Sequence, residues 1–243
     1  MHESAKSRPI GRVLGIWRYP VKSMGANALS EVDVSWHGVA GDRRWAFVRD
    51  GVVQSGFPWF TLRERNDLNR YVPSFVDPTQ PDKSVTRVRT PSGVEYDITD
   101  PRLAAELSPT PIRLIKQDRG VFDTFPLSLI TAQTIARLSE MTDEPLQVER
   151  FRPNLLIDAY DSTPFCEDTW VGRVLRIGGM RMRVDKRDGR CAVITIDPIT
   201  SQRNPQILRV VAREREGCIG VYGTTVEPGR LRVDDEVLLM SDG

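Results

Sequence analysis

The sequence predicts a mainly β fold with a few helices, which places it in the α+β class. Short apolar segments alternate with turn signals along most of the chain, whereas helical periodicity is confined to three segments. Chains of this kind form β-barrels or mixed β architectures. The length of 243 residues suits one large or two small domains. Because prolines cluster at Pro109 and Pro111, we expect an N-terminal unit at 10–112 and a C-terminal unit at 113–243.

Three β-hairpins are predicted from the residues that separate pairs of strands. The turns are Asp50-Gly51 between 45–48 and 52–53, Pro91-Ser92-Gly93 between 85–90 and 94–98, and Gly178-Gly179 between 174–177 and 180–184. Further strands are predicted at 13–17, 155–157, 192–196 and 230–239, where apolar and β-branched residues are frequent.

Three helices are predicted from apolar spacing and capping residues. Thr131 can cap a helix N-terminus, and Ile135 and Leu138 follow at helical spacing in a segment that ends near residue 141. Asn204 followed by Pro205 predicts the start of a second helix, which continues to about residue 215. A short third helix is predicted near 101–107.

Composition and charge exclude several classes of protein. The 34 basic and 33 acidic residues leave a net charge of +1, so a bulk electrostatic nucleic-acid binder is not expected. No run approaches the ~20 apolar residues of a membrane span, and the polar N-terminus is not a secretory signal. The three cysteines form no C-x-x-C pair, which argues against zinc, iron–sulfur and disulfide scaffolds and favours a reducing compartment. With two histidines, no His-cluster mechanism is expected.

Cys191 is the strongest single candidate for chemistry. It ends a segment, 181–191, that holds five basic and two acidic residues, and nearby cations stabilise a thiolate. A thiolate is a soft metal ligand, and the preceding turn at Gly189 would leave it accessible. The alternative, a small buried side chain ahead of a strand, is equally open from the residues alone. Cys166 and Cys218 lack the basic setting and are interpreted as structural.

Two basic motifs in the first third of the chain could bind an anion. Lys22 and Ser23 place a point charge beside a hydroxyl, a combination suited to phosphate, although a solvated lysine beside a turn serine is the alternative. Arg43 or Arg44 could bind an oxyanion through two guanidinium nitrogens, although a surface ion pair with Asp42 is the alternative. Arg63 lies in a similar but weaker motif.

A third motif lies in the second half of the chain. Arg152 and Asn154 would share one face of an extended segment, where a forked cation and an amide suit a polar heterocycle or a phosphate. A strand-end salt bridge and a capping asparagine are the alternative. His37 has no partner in sequence and is interpreted as a surface residue.

The order of these motifs resembles the MOSC family, named for the C-terminal domain of molybdenum cofactor sulfurase, and the first half resembles the β-barrel domain that precedes MOSC in amidoxime-reducing proteins. The resemblance runs from about residue 11 to residue 239. It rests on the segments 19–23, 41–45, 61–64, 125–128, 150–154, 167–172, 190–191, 195–198, 220–223 and 228–235.

The resemblance implies a MOSC β-barrel preceded by a smaller barrel-like domain, and a molybdenum cofactor (Mo-molybdopterin) as ligand. Cys191 matches the family's molybdenum ligand and would be the catalytic residue. The expected contacts to the phosphate and pterin are Lys22, Ser23, Arg43, Arg63, Ser128, Thr131, Arg152, Asn154 and Arg190. Relatives often carry a second cysteine shortly before the ligand cysteine, where Asp188 and Gly189 stand here.

The implied function is reduction of small N-oxygenated substrates, such as amidoximes, hydroxylamines and N-oxides. In such a mechanism molybdenum takes the substrate oxygen, and a separate flavin or iron–sulfur protein returns two electrons. The appended ferredoxin-like domain of some bacterial relatives and the membrane anchor of eukaryotic ones are not seen, so we expect a cytoplasmic protein with no membrane or nucleic-acid partner.

Two alternatives stay open. Cys191 could carry a persulfide, so that the chain transfers sulfur or cofactor, or the chain could be a non-catalytic module that binds an anionic ligand or a protein. The family is also loosely associated with pyridoxal phosphate binding. A Schiff base would require Lys22, and a phosphate contact already accounts for that residue.

Overall fold

A computed structural model of the chain describes residues 7–52 and 55–241. Its strands, β1 to β17, are Ser7–Arg18, Asn27–Leu29, Glu31–Ser35, Gly38–Val39, Trp45–Arg49, Trp59–Phe60, Val72–Phe75, Thr86–Arg89, Glu95–Asp97, Ile112–Lys116, Leu127–Thr131, Leu155–Ala159, Val174–Ile177, Met180–Gly189, Cys218–Glu227, Gly229–Arg232 and Glu236–Met240. Its helices, α1 to α3, are Pro101–Leu107, Ala132–Thr142 and Pro205–Arg215. The mainly β fold with few helices is therefore confirmed.

The largest element is a closed barrel of seven strands. Its order is β12-β11-β15-β14-β13-β17-β1, and pairing between β1 and β12 closes the ring. β11 and β12 are parallel, while the other pairs are antiparallel. Alternate inward-facing side chains fill the interior, including Val13, Leu129, Ile157, Leu175 and Val221. The predicted β-barrel is confirmed.

The N-terminal strand β1 completes this barrel. Its twelve residues pair with β12 on one side and with β17 on the other, so that Gly11 lies opposite both Ala159 and Val237. The chain then leaves the barrel at Arg18, and the next residues enter the smaller unit. The barrel end near Arg18 thereby lies beside the start of the N-terminal unit.

The N-terminal unit, which leaves β1 to the barrel and extends through β10 to Lys116, consists of two three-stranded sheets, β10-β5-β6 and β7-β8-β9, and of α1. Its core is separate from the barrel core and includes Met24, Phe47, Leu68, Val88 and Leu103. A further small sheet, β16-β3-β4, links the two parts of the chain.

The two longer helices pack on the outside of the barrel, where Ile130, Leu138, Ile207, Val211 and Ile219 share a third core cluster. All three helices lie where they were predicted. Thr131 accepts a hydrogen bond from the amide of Thr134, and Asn204 accepts one from Gln206; each cap is worth ~1 kcal/mol. No helix in the described ranges is long and apolar enough to cross a membrane.

Two predicted strands were wrong. Residues 192–196 were predicted as a strand from their β-branched residues, but Ala192–Thr195 forms a 3₁₀ turn. Its compact hydrogen bonds place Ile194 in the core beneath the helices. The single strand predicted at 230–239 is two strands, because Asp234 adopts a left-handed backbone with φ of 70° and turns the chain.

The first predicted hairpin also differs from the structure. β5 pairs with β6 and β10, so the chain returns at Trp59-Phe60 and not directly after Asp50-Gly51. Val52 lies outside any strand, and Val53 lies outside the described residues. The hairpins at Pro91-Ser92-Gly93 and Gly178-Gly179 are confirmed.

Candidate functional site

A cavity of about 340 Å³ opens at the end of the barrel, beside the N-terminal unit. This volume is within the usual range for small-molecule and cofactor sites. The cavity is lined by six basic side chains and two acidic ones, so its interior is cationic. Nine of the ten predicted site residues line it, namely Lys22, Ser23, Arg43, Arg63, Ser128, Arg152, Asn154, Arg190 and Cys191.

The tenth predicted residue, Thr131, lies elsewhere. It is fully buried at the start of α2 and donates a hydrogen bond of 2.8 Å to Glu167 while capping the helix. Burial raises the pKa of Glu167, and the hydroxyls of Thr131 and Thr134 satisfy one of its oxygens. The structure does not bring Thr131 to the cavity, because capping and the buried carboxyl engage its side chain.

Three residues around the cavity have left-handed backbones. Ser23, Arg43 and Arg152 have φ values of 68°, 51° and 53°, although none is glycine. Such conformations cost roughly 1–3 kcal/mol each and are retained where the surrounding structure requires them. They direct three side chains from distant parts of the sequence to one place.

Tyr19 organises the two central arginines. The guanidinium carbons of Arg43 and Arg152 lie 4.8 and 4.3 Å from the centre of its ring, which is cation–π geometry. Arg43 donates to the carbonyl of Arg152 at 3.0 Å, and Arg152 donates to the carbonyl of Met24 at 2.8 Å. Burial lowers the pKa of Arg152 to about 10 and raises the pKa of Tyr19. Tyr19, which precedes Pro20 in segment 19–23, was not among the predicted site residues.

A buried polar pair fixes this arrangement. Asn154 donates to Asp42 at 3.2 Å and to the carbonyl of Trp17 at 3.2 Å. Asp42 is fully buried, accepts from the amide of Tyr19 at 2.7 Å and forms an ion pair with Arg43. Asn154 therefore lines the cavity, but its side-chain amide is engaged by Trp17 and Asp42, close in sequence to Tyr19 and Arg43.

Lys22 is buried at the cavity wall. Its ammonium group donates to the carbonyl of Val121 at 3.1 Å and forms an ion pair with Asp123. Burial lowers the pKa of Lys22, while Asp123 acts in the opposite direction. Lys22, predicted as a phosphate contact, thus faces a carboxylate of the same chain in this structure.

Cys191 is a free, half-buried thiol that follows β14 and begins the 3₁₀ turn. Its basic neighbours are less concentrated than expected, because side chains alternate along β14 and its bulges redirect them. Of the five basic residues of 181–190, Arg190 alone lines the cavity. The other four basic side chains have partners elsewhere. Three form ion pairs, Arg181–Glu227, Arg183–Asp185 and Arg187–Glu216, and Lys186 lies over the ring of Phe125.

Asp188, which the sequence analysis noted only as a departure, lies in the same wall. It is almost fully buried, 2.9 Å from Arg190, and accepts from the hydroxyl of Ser128 at 3.4 Å. Burial raises its pKa to about 6, against the opposing influence of Arg190. Arg190 is held by the carbonyls of Ile219 and Phe151, each at 2.8 Å. Local charge alone could not have shown this burial.

The remaining predicted residues lie away from the cavity. Cys166 is buried in the barrel core, where burial raises its pKa to about 12. Cys218 begins β15 and donates weakly to the carbonyl of Glu216 at 3.8 Å. His37 is exposed in the turn between β3 and β4. These positions agree with structural cysteines and a surface histidine.

The donor set of the cavity fits an anionic cofactor. One terminal nitrogen of Arg152 is buried without a hydrogen-bond partner, and buried donors are normally satisfied. In the described residues, no three His, Cys, Asp or Glu side chains are grouped to hold a metal ion. The thiolate of Cys191 suits a soft metal.

The chain matches two family models that together span most of its length. The MOSC domain matches residues 116–238, and the MOSC N-terminal beta barrel domain matches residues 10–102. A molybdenum cofactor sulfurase of Caenorhabditis briggsae is 24% identical over 90% of this chain. Mitochondrial amidoxime-reducing component 1 of Danio rerio is 30% identical over 47% of the chain. The matched regions cover only 34% and 37% of those two relatives.

Among solved structures, the YUAD protein of Bacillus subtilis has the same fold. It superposes with a TM-score of 0.55 at 13% identity, covering 98% of this chain and 99% of that one. At this identity the likeness concerns the fold alone. The two family matches, the closed barrel and the cavity at its end lead to one assignment: the chain belongs to the MOSC family and carries the MOSC N-terminal β-barrel domain.

Proposed function

We propose that this chain binds a molybdenum cofactor through Cys191 and reduces N-hydroxylated or N-oxide substrates with electrons from a separate redox protein. One observation carries the proposal: a free thiol shares a cavity with six basic side chains. Neither feature alone is distinctive. Their combination suits a cofactor that has a soft metal at one end and an anionic group at the other.

The residues divide into two parts of the proposed site. Arg152 retains a free donor for a phosphate or for the polar edge of a pterin, whereas the three nitrogens of Arg190 face Asp188 and two carbonyls. Phe57 and Phe151 add apolar surface to the wall, which suits a flat heterocycle. Cys191 would hold the metal at the other end. When bound, the cofactor would supply two-electron redox chemistry, while the protein orients it and controls access by water.

The name of one relative supports the reductase function. One relative is named an amidoxime-reducing component, and its match includes 47% of this chain. We propose that electrons come from a flavin or iron–sulfur protein, because the described residues hold no cluster of metal-ligating side chains. This partner would dock where electrons can reach the cavity.

The test is a reductase assay with protein purified from a host that makes the cofactor. A chemically reduced dye would serve as electron donor, and an aromatic amidoxime, a hydroxylamine and an N-oxide as substrates. We expect turnover of at least one substrate class by the wild type and none by Cys191→Ser. Cys218→Ser, on a neighbouring strand, is the matched control and should retain activity. Cofactor-loaded wild type that reduces none of the three would contradict the proposal.

A second candidate function is sulfur transfer through a persulfide on Cys191. The observation that favours it is the match to a molybdenum cofactor sulfurase over 90% of this chain. Incubation with a cysteine desulfurase and cysteine should then place labile sulfur on Cys191 and not on Cys218. Mass spectrometry of the two peptides distinguishes this function from the reductase. A non-catalytic module would show neither metal nor labile sulfur.

A further inference from the structure

The cavity contains a buried acid that the binding of an anionic cofactor does not explain. Asp188 lies near the end of β14, three positions before Cys191, and both residues line the same cavity. An acid among cofactor-binding cations would weaken the attraction for an anion. Its presence at a buried position therefore calls for another role.

The surroundings of Asp188 leave one of its oxygens free. Oδ2 lies 2.9 Å from Arg190 and accepts from Ser128, whereas Oδ1 has no hydrogen-bond partner. The hydroxyl of Tyr222 on β15 is a further hydrogen-bond partner of this carboxyl, and the charge of Arg43 before β5 acts on it from a longer distance. Buried polar atoms without partners are rare, and here the free oxygen belongs to a residue of the cavity wall.

The protonation state of Asp188 is also unusual. Burial raises its pKa to about 6, although Arg190, Tyr222, Ser128 and Arg43 all act to lower it. A carboxyl that titrates near neutral pH can both give and regain a proton during turnover. The other acidic group of the wall, Asp123, has a lowered pKa because it pairs with Lys22, so it stays ionised.

The proposed reaction requires protons as well as electrons. Reduction of R–NHOH to R–NH₂ and water breaks the N–O bond and consumes two electrons and two protons. The electrons come from a reduced flavin or iron–sulfur protein. One proton must reach the departing oxygen, which leaves as water, and the other must reach the nitrogen. A wall acid with a free oxygen can deliver the first.

We propose that Asp188 is the proton donor of this site and protonates the oxygen of a bound N-hydroxylated substrate. This inference rests on the proposed reductase function. The carboxylate that remains after the transfer is stabilised by Arg190 and Ser128 and regains its proton from water entering the cavity. The geometry also assigns Arg190 a second role, as the group that positions Asp188.

The test compares Asp188→Asn and Asp188→Glu with the wild type. We expect Asp188→Asn to keep its molybdenum content but to lose roughly a hundredfold in kcat, the lower range for a general acid. Asp188→Glu should recover at least a tenth of the wild-type rate. Asp185→Asn, which changes an acid on the same strand outside the cavity, should not affect kcat.

Two further measurements separate proton transfer from a structural role. The kcat of the wild type should fall as pH rises through the pKa of Asp188, and this dependence should be absent in Asp188→Asn. In protein without substrate, ¹³C NMR of labelled aspartate carboxyls should show one signal that titrates near pH 6 and is missing from the variant. Full molybdenum and an unchanged kcat in Asp188→Asn would overturn the inference while the reductase function stands. An inactive, fully loaded wild type would overturn both.

Discussion

Lys22 and Asp123 form an ion pair in the wall of the cavity although they lie 101 positions apart in sequence. Lys22 is buried and Asp123 is half exposed, so the acid is the member that can leave. The pair holds a lysine of the N-terminal unit against the segment that leads into the barrel. It also places a negative charge beside Lys22, one of the cationic groups that line the cavity.

Removing that negative charge should strengthen anion binding. In Asp123→Asn we expect inorganic phosphate to bind about fivefold more tightly, which corresponds to the ~1 kcal/mol of one charge at ~4 Å in a water-like medium. Isothermal titration calorimetry with phosphate measures the change. Asp118→Asn, an exposed change in the same segment, is the control. Equal affinities for phosphate in all three proteins would show that Lys22 does not contribute to an anion site.

The contribution of Tyr19 to stability and to anion binding should come from the π face of its ring and not from its hydroxyl. The hydroxyl is buried without a hydrogen-bond partner, so Tyr19→Phe should change the free energy of unfolding by less than ~0.5 kcal/mol. Phosphate affinity should also be unchanged, because Arg43 and Arg152 keep their ring contact. Tyr19→Leu should weaken phosphate binding and destabilise the fold. A large loss of stability in Tyr19→Phe would refute this reading of the hydroxyl.

The pH dependence of stability should reveal Asp188. Its pKa is raised from 3.8 to about 6, so the folded protein binds the proton more tightly than the unfolded chain. The protonated carboxyl therefore contributes about 3 kcal/mol to the free energy of unfolding below pH ~4. This contribution is lost as pH rises through about 6. Because an asparagine side chain does not ionise, the Asp188→Asn variant should not show this pH-dependent loss of stability.

Urea unfolding at pH 4.5 and pH 8 checks this expectation. The free energy of unfolding of Asp188→Asn, relative to that of the wild type, should be higher at pH 8 than at pH 4.5 by about 2 kcal/mol, because at pH 4.5 part of the full effect has already been lost. Asp185→Asn controls for a general effect of pH on charged variants. A difference between Asp188→Asn and wild type that is the same at both pH values would mean that Asp188 does not titrate as the structure indicates.

Two glycines with similar positive φ values allow the cost of backbone strain to be distinguished from the cost of a steric clash. Gly217 and Gly220 have φ of +76° and +72°. A Cβ at Gly217 meets nothing within 4 Å, whereas at Gly220 it would lie 2.7 Å from the carbonyl oxygen of Leu129 and 3.2 Å from Arg190. Gly217→Ala should therefore cost about 1 kcal/mol, and Gly220→Ala at least twice that, with displacement of Arg190. Urea unfolding of both variants tests the difference, and equal losses would contradict it.

Local signals predicted much of the fold. The helix at 132–142 and the helix at 205–215 were found because capping and apolar spacing are properties of neighbouring residues. The 3₁₀ turn at 192–195 was missed because β-branched residues favour strands, and packing of Ile194 beneath the helices overrides that preference. Closure of the barrel by β1 depends on pairing with residues 139 to 148 positions away, which local patterns do not show.

The site was predicted in its composition but not in its internal connections. Motif order placed Cys191, Lys22 and Arg152 together, and all three line the cavity. The functions of Tyr19 and Asp188 follow from burial and from unpartnered atoms, which require three dimensions to see. For the same reason, the capping function of Thr131 and its bond to Glu167 outweigh its position in the motif.

The central claim is that Cys191 holds a metal brought by an anionic cofactor, and elemental analysis tests it most directly. Wild type, Cys191→Ser and Cys218→Ser would be purified from a host that makes the molybdenum cofactor. We predict near-stoichiometric molybdenum in the wild type and in Cys218→Ser, and its loss in Cys191→Ser with folding unchanged. Absence of molybdenum and of fluorescent pterin from the wild type, or equal molybdenum in all three proteins, would contradict the claim.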